Sequence, residues 1–302
     1  MVTDGSWGSC KIESVDQQTG EVTQKPVYIV KAENVGQVMA IDDKQIGRDM
    51  FTIMSNQQTG KIALLVESLK VDELKEAAAH LGTAVEKVKT ISSDMSPSYL
   101  RFNRDIFTNS QQVVDKFHVI RHVLDAVQAV RIRIKNNLLA TLPKRRKTQS
   151  AISQNDHQVL SDLELLKRTQ YLLTQNQNKW NYDQQSLMQG LFARFPEIKI
   201  AYMISQEFIQ WYNKSNGRLH RIIIETKLFE WYEKVEESYI KELISVANLI
   251  DHHEELIINY FQKGITNAKA ERINGQIQQF ISQNYGIRDK EFVLYRISKY
   301  FS

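Results

Sequence analysis

Three acidic residues stand where this chain could hold a metal ion. Asp42 follows the apolar run VMAI at 38–41, and Asp94 ends the segment VEKVKTISS at 85–93. Glu271 falls in the first turns of a helical stretch, and Asn274, three residues on, shares its helical face. Carboxylates that converge in this way suit Mg²⁺ or Mn²⁺, hard cations that prefer oxygen ligands. Two such ions about 4 Å apart stabilise the attacking and the leaving oxygen of an in-line phosphodiester displacement, so the protein need supply no covalent nucleophile. Each acid also has a plainer reading: Asp94 could cap a helix, and Glu271 could lie on a solvated helix surface. Asp43 is a rival to Asp42, because successive strand side chains point to opposite faces and only one of the two can face a metal. Spacing alone does not choose between them.

The elements that must position these acids are legible from the breakers and the apolar periods. Seven of the 12 glycines fall in residues 1–82, none lies between Gly82 and Gly190, and no proline follows Pro196. The first part of the chain turns often and the rest runs in helices. Segments 37–43, 50–55 and 61–66 are predicted strands, with Gln57-Gln58-Thr59-Gly60 as the turn between the last two. The same four residues at 17–20 predict a second hairpin within a short N-terminal segment, 1–36. A helix is expected over 71–81, closed by Gly82, then a buried strand over 85–93. Ser96 and Pro97 suit the cap and first position of a helix over 97–107, and a last strand is expected at 111–116. Three strands, helix, strand, helix, strand is the order of a ribonuclease-H-like core, an α/β mixed sheet. Residues 37–116 with 264–302 make that core. Residues 117–263 read as a large all-α insertion, with Val119, Val123, Val127 and Val130 on one helical stripe. After Gly264 a final helix is expected to run from Thr266 to Tyr285 and end at Gly286.

Composition narrows the class. The single cysteine, Cys10, excludes a disulfide scaffold and a cysteine-based zinc module. No apolar run approaches the roughly 18 residues of a membrane helix, so the expectation is a cytoplasmic chain with no membrane partner. The net charge of +4 conceals a patch: residues 95–150 carry 11 Lys and Arg against 3 Asp and Glu. Arg121, Arg131, Arg133 and Lys135, followed by Lys144, Arg145, Arg146 and Lys147 after Pro143, could neutralise backbone phosphates. Two decoys fail on spacing. Asp251-His252-His253-Glu254-Glu255 lacks the H-E-x-x-H interval that puts two histidines on one helix face, and Thr59-Gly60-Lys61 lacks the leading glycine of a phosphate loop. The aromatic stretches around Trp211, Tyr212, Trp231 and Tyr232 read as core.

Three segments carry a family resemblance: Ser93-Asp94-Met95-Ser96-Pro97-Ser98-Tyr99, Val113-Val114-Asp115-Lys116-Phe117-His118-Val119, and Thr266-Asn267-Ala268-Lys269-Ala270-Glu271-Arg272-Ile273-Asn274. In this order they resemble the DDE transposases of the bacterial insertion-sequence L-three family, which place a helical insertion before the last acid. The spacing of 177 residues from Asp94 to Glu271 accommodates that insertion. The resemblance implies an enzyme that hydrolyses a strand at the ends of an insertion sequence and joins the freed 3′-hydroxyl to target DNA. It implies Asp42, Asp94 and Glu271 as catalytic metal ligands for Mg²⁺ or Mn²⁺, two ions in all. Asp42 is preferred over Asp43 because the family's first acid follows the apolar strand directly. Asp115 and His118 match a motif near the end of the fifth strand, and with Asn274 they are expected behind the ligands or against DNA. The expected partners are DNA and further copies of the chain assembled on it, in the nucleoid. Relatives carry a cysteine-rich zinc module and a helix-turn-helix ahead of the first strand, where this chain has about 36 residues. A shortened, catalytically silent DNA-binding relative is therefore the alternative reading.

Overall fold

The computed structural model describes residues 7–8, 13–15, 22–24, 28–142, 154–214, 219–263, 268–283 and 290–301. It is a mixed α/β structure of largely helical content that divides into two compact units, Met1–His118 with Ile265–Ser302 and Val119–Gly264.

In the first unit, β1 (Trp7–Gly8), β4 (Tyr28–Val30), β5 (Val38–Ile46), β6 (Asp49–Asn56), β7 (Ile62–Val66), β8 (Thr90–Ser93) and β9 (Gln111–Val114) form one sheet in the order β1-β4-β7-β6-β5-β8-β9. The β5, β6 and β7 strands pair antiparallel, whereas β5, β8 and β9 run parallel. The turn between β6 and β7 closes on the Gly60 N–H, which donates to the Asn56 carbonyl at 2.8 Å, and Gly60 has φ +76°. A side chain there would be strained in the left-handed region. Strands β2 (Glu13–Val15) and β3 (Val22–Gln24) pair as a separate hairpin flanking 17–20, which lies outside the described residues. The segment before residue 37 does more than form a hairpin: β4 pairs with β7 and β1 with β4, extending the sheet at that edge.

The strand expected over 85–93 is shorter. Residues 85–89 are not strand; Gly82–Lys87 form a 3₁₀ turn and β8 begins only at Thr90. Val85 and Val88 pack into the core three residues apart, a turn's interval rather than the two-residue interval of a strand.

The strand period sorts the core into two faces. Met39 and Ile41 of β5, with Met54 and Leu64 beside them, pack against Leu74 and Ala77 of α1 (Val71–Ala79) and Tyr99 and Phe102 of α2 (Pro97–Ile106). On the opposite face, Ile46, Phe51, Ile53, Leu65 and Ile29 pack against Ile273 and Ile277 of α10 (Ala268–Gln283) and Leu294 and Ile297 of α11 (Lys290–Tyr300). The α11 helix was not foreseen. Thr266, Asn267, Tyr285 and Gly286, the expected ends of α10, lie outside the described residues.

The second unit is helical. It holds all but the first turn of α3 (Lys116–Thr141), then α4 (Gln154–Arg168), α5 (Tyr182–Arg194), α6 (Pro196–Lys214), α7 (Arg221–Ser238), α8 (Lys241–His252) and α9 (Glu254–Lys263). Val119, Val123, Val127 and Val130 are buried along one stripe of α3. Phe208, Tyr212, Trp231 and Phe261 meet in an aromatic core, the Phe208 and Trp231 rings 4.6 Å apart and Tyr212 and Phe261 4.7 Å apart. No helix among the described residues is long and apolar enough to cross a membrane.

Candidate functional site

The parallel strands bring acids together. The β5–β8 register aligns Ala40 with Ser92, and the β8–β9 register aligns Ser92 with Val113. Two residues further along each chain come Asp42, Asp94 and Asp115. Strand neighbours lie about 4.8 Å apart, so the register sets the three acids in one row at the carboxyl ends of β8 and β9. The Asp115 N–H donates to the Ser93 carbonyl at 2.7 Å, carrying the ladder one step past the strands.

The same period separates Asp42 from Asp43. Asp42 pairs with Ile53, whose side chain belongs to the face covered by α10 and α11. Asp43 pairs with Thr52, and the Thr52 hydroxyl donates to the Ser68 carbonyl at 2.7 Å and lies 3.1 Å from the Tyr99 hydroxyl, on the α1 and α2 face. Asp42 therefore shares the face of the helix that carries Glu271. The Asp43 carboxyl is pushed above the usual range by burial, and further by the negative charges of Asp42 and Asp94, against a smaller opposing pull from His118. Burial raises the Tyr99 phenol well above its usual value, and Asp43, Asp94 and Asp42 push the same way, against the Thr52 hydrogen bond.

His118 stands at the row. Its Nε2 lies 3.7 Å from Asp42 Oδ1 and 3.7 Å from Asp115 Oδ2. The hydrogen bond to Asp42 raises the imidazole pKa above its usual value, burial opposes it, and the charges of Asp115, Asp42 and Asp94 add to it. Asp115 is buried, and its Oδ1 accepts the Phe117 N–H at 3.0 Å, capping the first turn of α3. Asp94 Oδ1 accepts the Ser96 N–H at 2.8 Å, while Ser96, the expected cap of α2, makes no side-chain capping bond.

Sequence spacing missed the residues that brace Asp94. Asn103, fully buried on α2, donates from Nδ2 to Ser93 Oγ at 3.1 Å, and Ser93 Oγ donates to the Asp94 carbonyl at 3.0 Å. The signal was present: Tyr99 and Asn103 are four residues apart and both fall on the buried stripe of α2.

Glu271 and Asn274 lie on α10, and their side chains are outside the described residues. Ile273 and Ile277, between and beyond them, anchor that helix to Ile46, Phe51 and Ile53. Among the described residues no three Asp, Glu, His or Cys side chains gather closely enough to hold a metal ion, and 251–255 is no exception. In that stretch Glu255 pairs with Arg221 at 2.7 Å, and Glu254 accepts from the Tyr232 hydroxyl at 3.1 Å. The donor set of the row suits a hard cation, but it needs a ligand from outside itself, and α10 is the helix on Asp42's face.

The basic residues separate into kinds. Arg121 and Lys135 are exposed, Arg121 beside Asp125 at 3.8 Å. Arg131 and Arg133 correct the expectation of phosphate contact. Arg131 is 8% exposed, and its guanidinium donates to Gln128 Oε1 at 2.8 Å and to the Leu166 carbonyl at 3.4 Å. Arg133 forks between Glu242, at 2.6 Å, and Glu197, so carboxylates of α8 and α6 occupy the donors a phosphate would need. Lys144, Arg145, Arg146 and Lys147 lie outside the described residues.

No curated protein and no solved structure matches this chain. The family model described as a transposase, of the DDE group of ISL3-type insertion sequences, matches residues 39–297, which include every acid of the row and Glu271. That match takes in most of the sequence, and the chain belongs to the ISL3-type DDE transposase family, whose function is transposition.

Proposed function

We propose that this transposase cleaves and joins DNA strands with two divalent ions, Mg²⁺ or Mn²⁺, held by Asp42, Asp94 and Glu271. The observation that carries the reading is the parallel register of β5 with β8, whose last pair, Ala40 with Ser92, lies two residues before Asp42 and Asp94, with Asp42 on the sheet face where the Glu271 helix packs. The strand order β7-β6-β5-β8-β9, three antiparallel then two parallel, supports a ribonuclease-H-like core made of 37–116 and 264–302, with 117–263 as its helical insertion.

Bound there, the ions supply positive charge to the attacking and leaving oxygens of a phosphodiester. The chain's own part is to hold oxygen ligands still. Asp42 is fixed in the middle of β5, paired with Ile53 across the sheet. Asp94 is held at its backbone carbonyl by Ser93 Oγ, which Asn103 supports, and at its carboxylate by the Ser96 N–H. Asp115, His118 and Asn274 stand behind these ligands or against DNA. Arg121 and Lys135, with Lys144, Arg145, Arg146 and Lys147, contact backbone phosphates and orient the duplex without reading its sequence. The partner is DNA, both element ends and target, with several copies of the chain assembled on it.

The test is cleavage and strand transfer of element-end DNA in Mg²⁺ or Mn²⁺. Asp94→Asn and Glu271→Gln each abolish both steps while leaving metal-free DNA binding intact. Wild-type rates in either variant refute the ligand assignment. Salt-dependent binding by the wild type with no metal-dependent cleavage selects the silent DNA-binding relative instead.

A further inference from the structure

We infer that His118 is the positioning residue for Asp42, a brace supported by Asp115 that fixes how the Asp42 carboxylate meets its metal. The inference rests on the ligand reading above and adds a specific role to it.

One ring nitrogen serves two carboxylates. Nε2 of His118 is 3.7 Å from Asp42 Oδ1 and 3.7 Å from Asp115 Oδ2, so the imidazole spans from β5 to the end of β9, across the strand that carries Asp94. Both carboxylate oxygens are acceptors, and the ring nitrogen stands between them. Asp115 cannot swing away, since it is 7% exposed and its other oxygen is held by the Phe117 N–H. The histidine is fixed in turn by α3, which begins at Lys116 and buries Val119 at the next position. Asp42 Oδ1 also accepts the Asp43 N–H at 2.9 Å. Oδ1, the oxygen turned toward His118, is therefore held by the chain. Partners of this kind, behind a ligating carboxylate, change metal affinity or activity by about 10- to 100-fold when removed.

The experiment uses the full chain with His118→Ala, His118→Gln and Asp115→Asn. Calorimetry reads Mn²⁺ affinity without DNA, a binding assay without metal reads DNA affinity, and cleavage is followed over a Mg²⁺ titration. In His118→Ala, Mn²⁺ binding weakens by about 10-fold or more and the Mg²⁺ midpoint for cleavage rises in step, while metal-free DNA affinity stays within about twofold. His118→Gln, which keeps a donor on a similar reach, recovers part of the affinity. Adding Asp115→Asn to His118→Ala costs little more than either change alone, because both act through one brace. Should His118→Ala prove unstable, His118→Gln and Asp115→Asn carry the same readouts. Unchanged Mn²⁺ affinity in folded His118 variants overturns the inference, as does a fall in metal-free DNA affinity that matches the fall in cleavage. If the wild type binds Mn²⁺ and Asp94→Asn does not, those results count against the brace alone. If Asp94→Asn cleaves normally, the ligand reading itself has failed.

Discussion

Replacing Arg133 by Ala separates an internal guanidinium from a DNA-binding one. Its side chain is 26% exposed, that of Glu242 13% and that of Glu197 41%, so the trio lies between a surface pair and a buried one. Exposed pairs contribute about 0.2–1 kcal/mol, and removing one partner of a fully buried pair costs about 3–5 kcal/mol. Discounted for this exposure, the loss is about 2 kcal/mol, because two carboxylates on α6 and α8 are left facing each other without their shared cation. Acid has the same effect from the other side. Burial pushes the Glu242 carboxyl upward, but the Arg133 hydrogen bond and nearby backbone and positive charges outweigh it and leave the carboxyl below its usual range. A depressed carboxylate stabilises the fold fully above its unfolded value, and that stabilisation is lost as pH falls through the folded value. Urea unfolding at neutral pH therefore shows Arg133→Ala less stable by about 2 kcal/mol, and the gap to wild type closes below the ordinary glutamate range. In the same variant the slope of log affinity for DNA against log salt is unchanged, whereas loss of a phosphate contact would reduce it by about 0.9. Wild-type stability combined with a reduced salt slope refutes the reasoning and returns Arg133 to the phosphate contacts.

Three further outcomes follow from the sheet and its helices. Asp42→Asn abolishes metal-dependent cleavage, whereas Asp43→Asn, on the opposite face, retains most of it and raises stability by relieving a half-buried charge; equal loss in both variants refutes the assignment of faces. Ile277→Ala, at a fully buried position of α10, costs about 2–4 kcal/mol in urea unfolding and lowers cleavage by loosening the helix that bears Glu271, while Ile277→Val costs about 1 kcal/mol. Gly36→Ala is more damaging than its ordinary backbone suggests, since a Cβ would meet Asn56 Nδ2 at 2.4 Å and displace its bond to the Asn34 carbonyl; Gly60→Ala meets no atom within 4 Å and costs only the strain of φ +76°, about 1–2 kcal/mol. Thermal melts of the two glycine variants rank them.

How much of this was legible in the sequence depends on the range of the interaction involved. The β5, β6 and β7 strands and the turn at Gly60 follow from local alternation and one residue suited to positive φ, and they occur within a few residues of the expected bounds. Segment 85–93 misled because its few apolar residues, Val85, Val88 and Ile91, run from the 3₁₀ turn into β8, and so short a set does not declare its own period. The place of β4 in the sheet depends on pairing with β7, some 35 residues away, and nothing local in Tyr28–Val30 announces it. Arg131 and Arg133 misled for a related reason. A cation's partners on other helices are invisible to a count of charges, so the patch at 95–150 overstated what could face DNA.

The choice between Asp42 and Asp43 shows what the structure adds. In the sequence they are two adjacent acids after an apolar run, and alternation states only that they face apart. A reference for the two faces comes from elements far along the chain: Tyr99 and Phe102 of α2 cover one side, and Ile273 and Ile277 of α10 cover the other. Asp42 inherits its face from Ile53 across the antiparallel pair, and its neighbours Asp94 and Asp115 from the parallel register with β8 and β9. Three separate pairings must agree before those acids can share a row. A one-residue slip of β5 would exchange Asp42 for Asp43 and at the same time turn Met39 and Ile41 out of their core. The apolar residues before Asp42 thus fix the register, and the register decides which carboxylate faces the helix of Glu271.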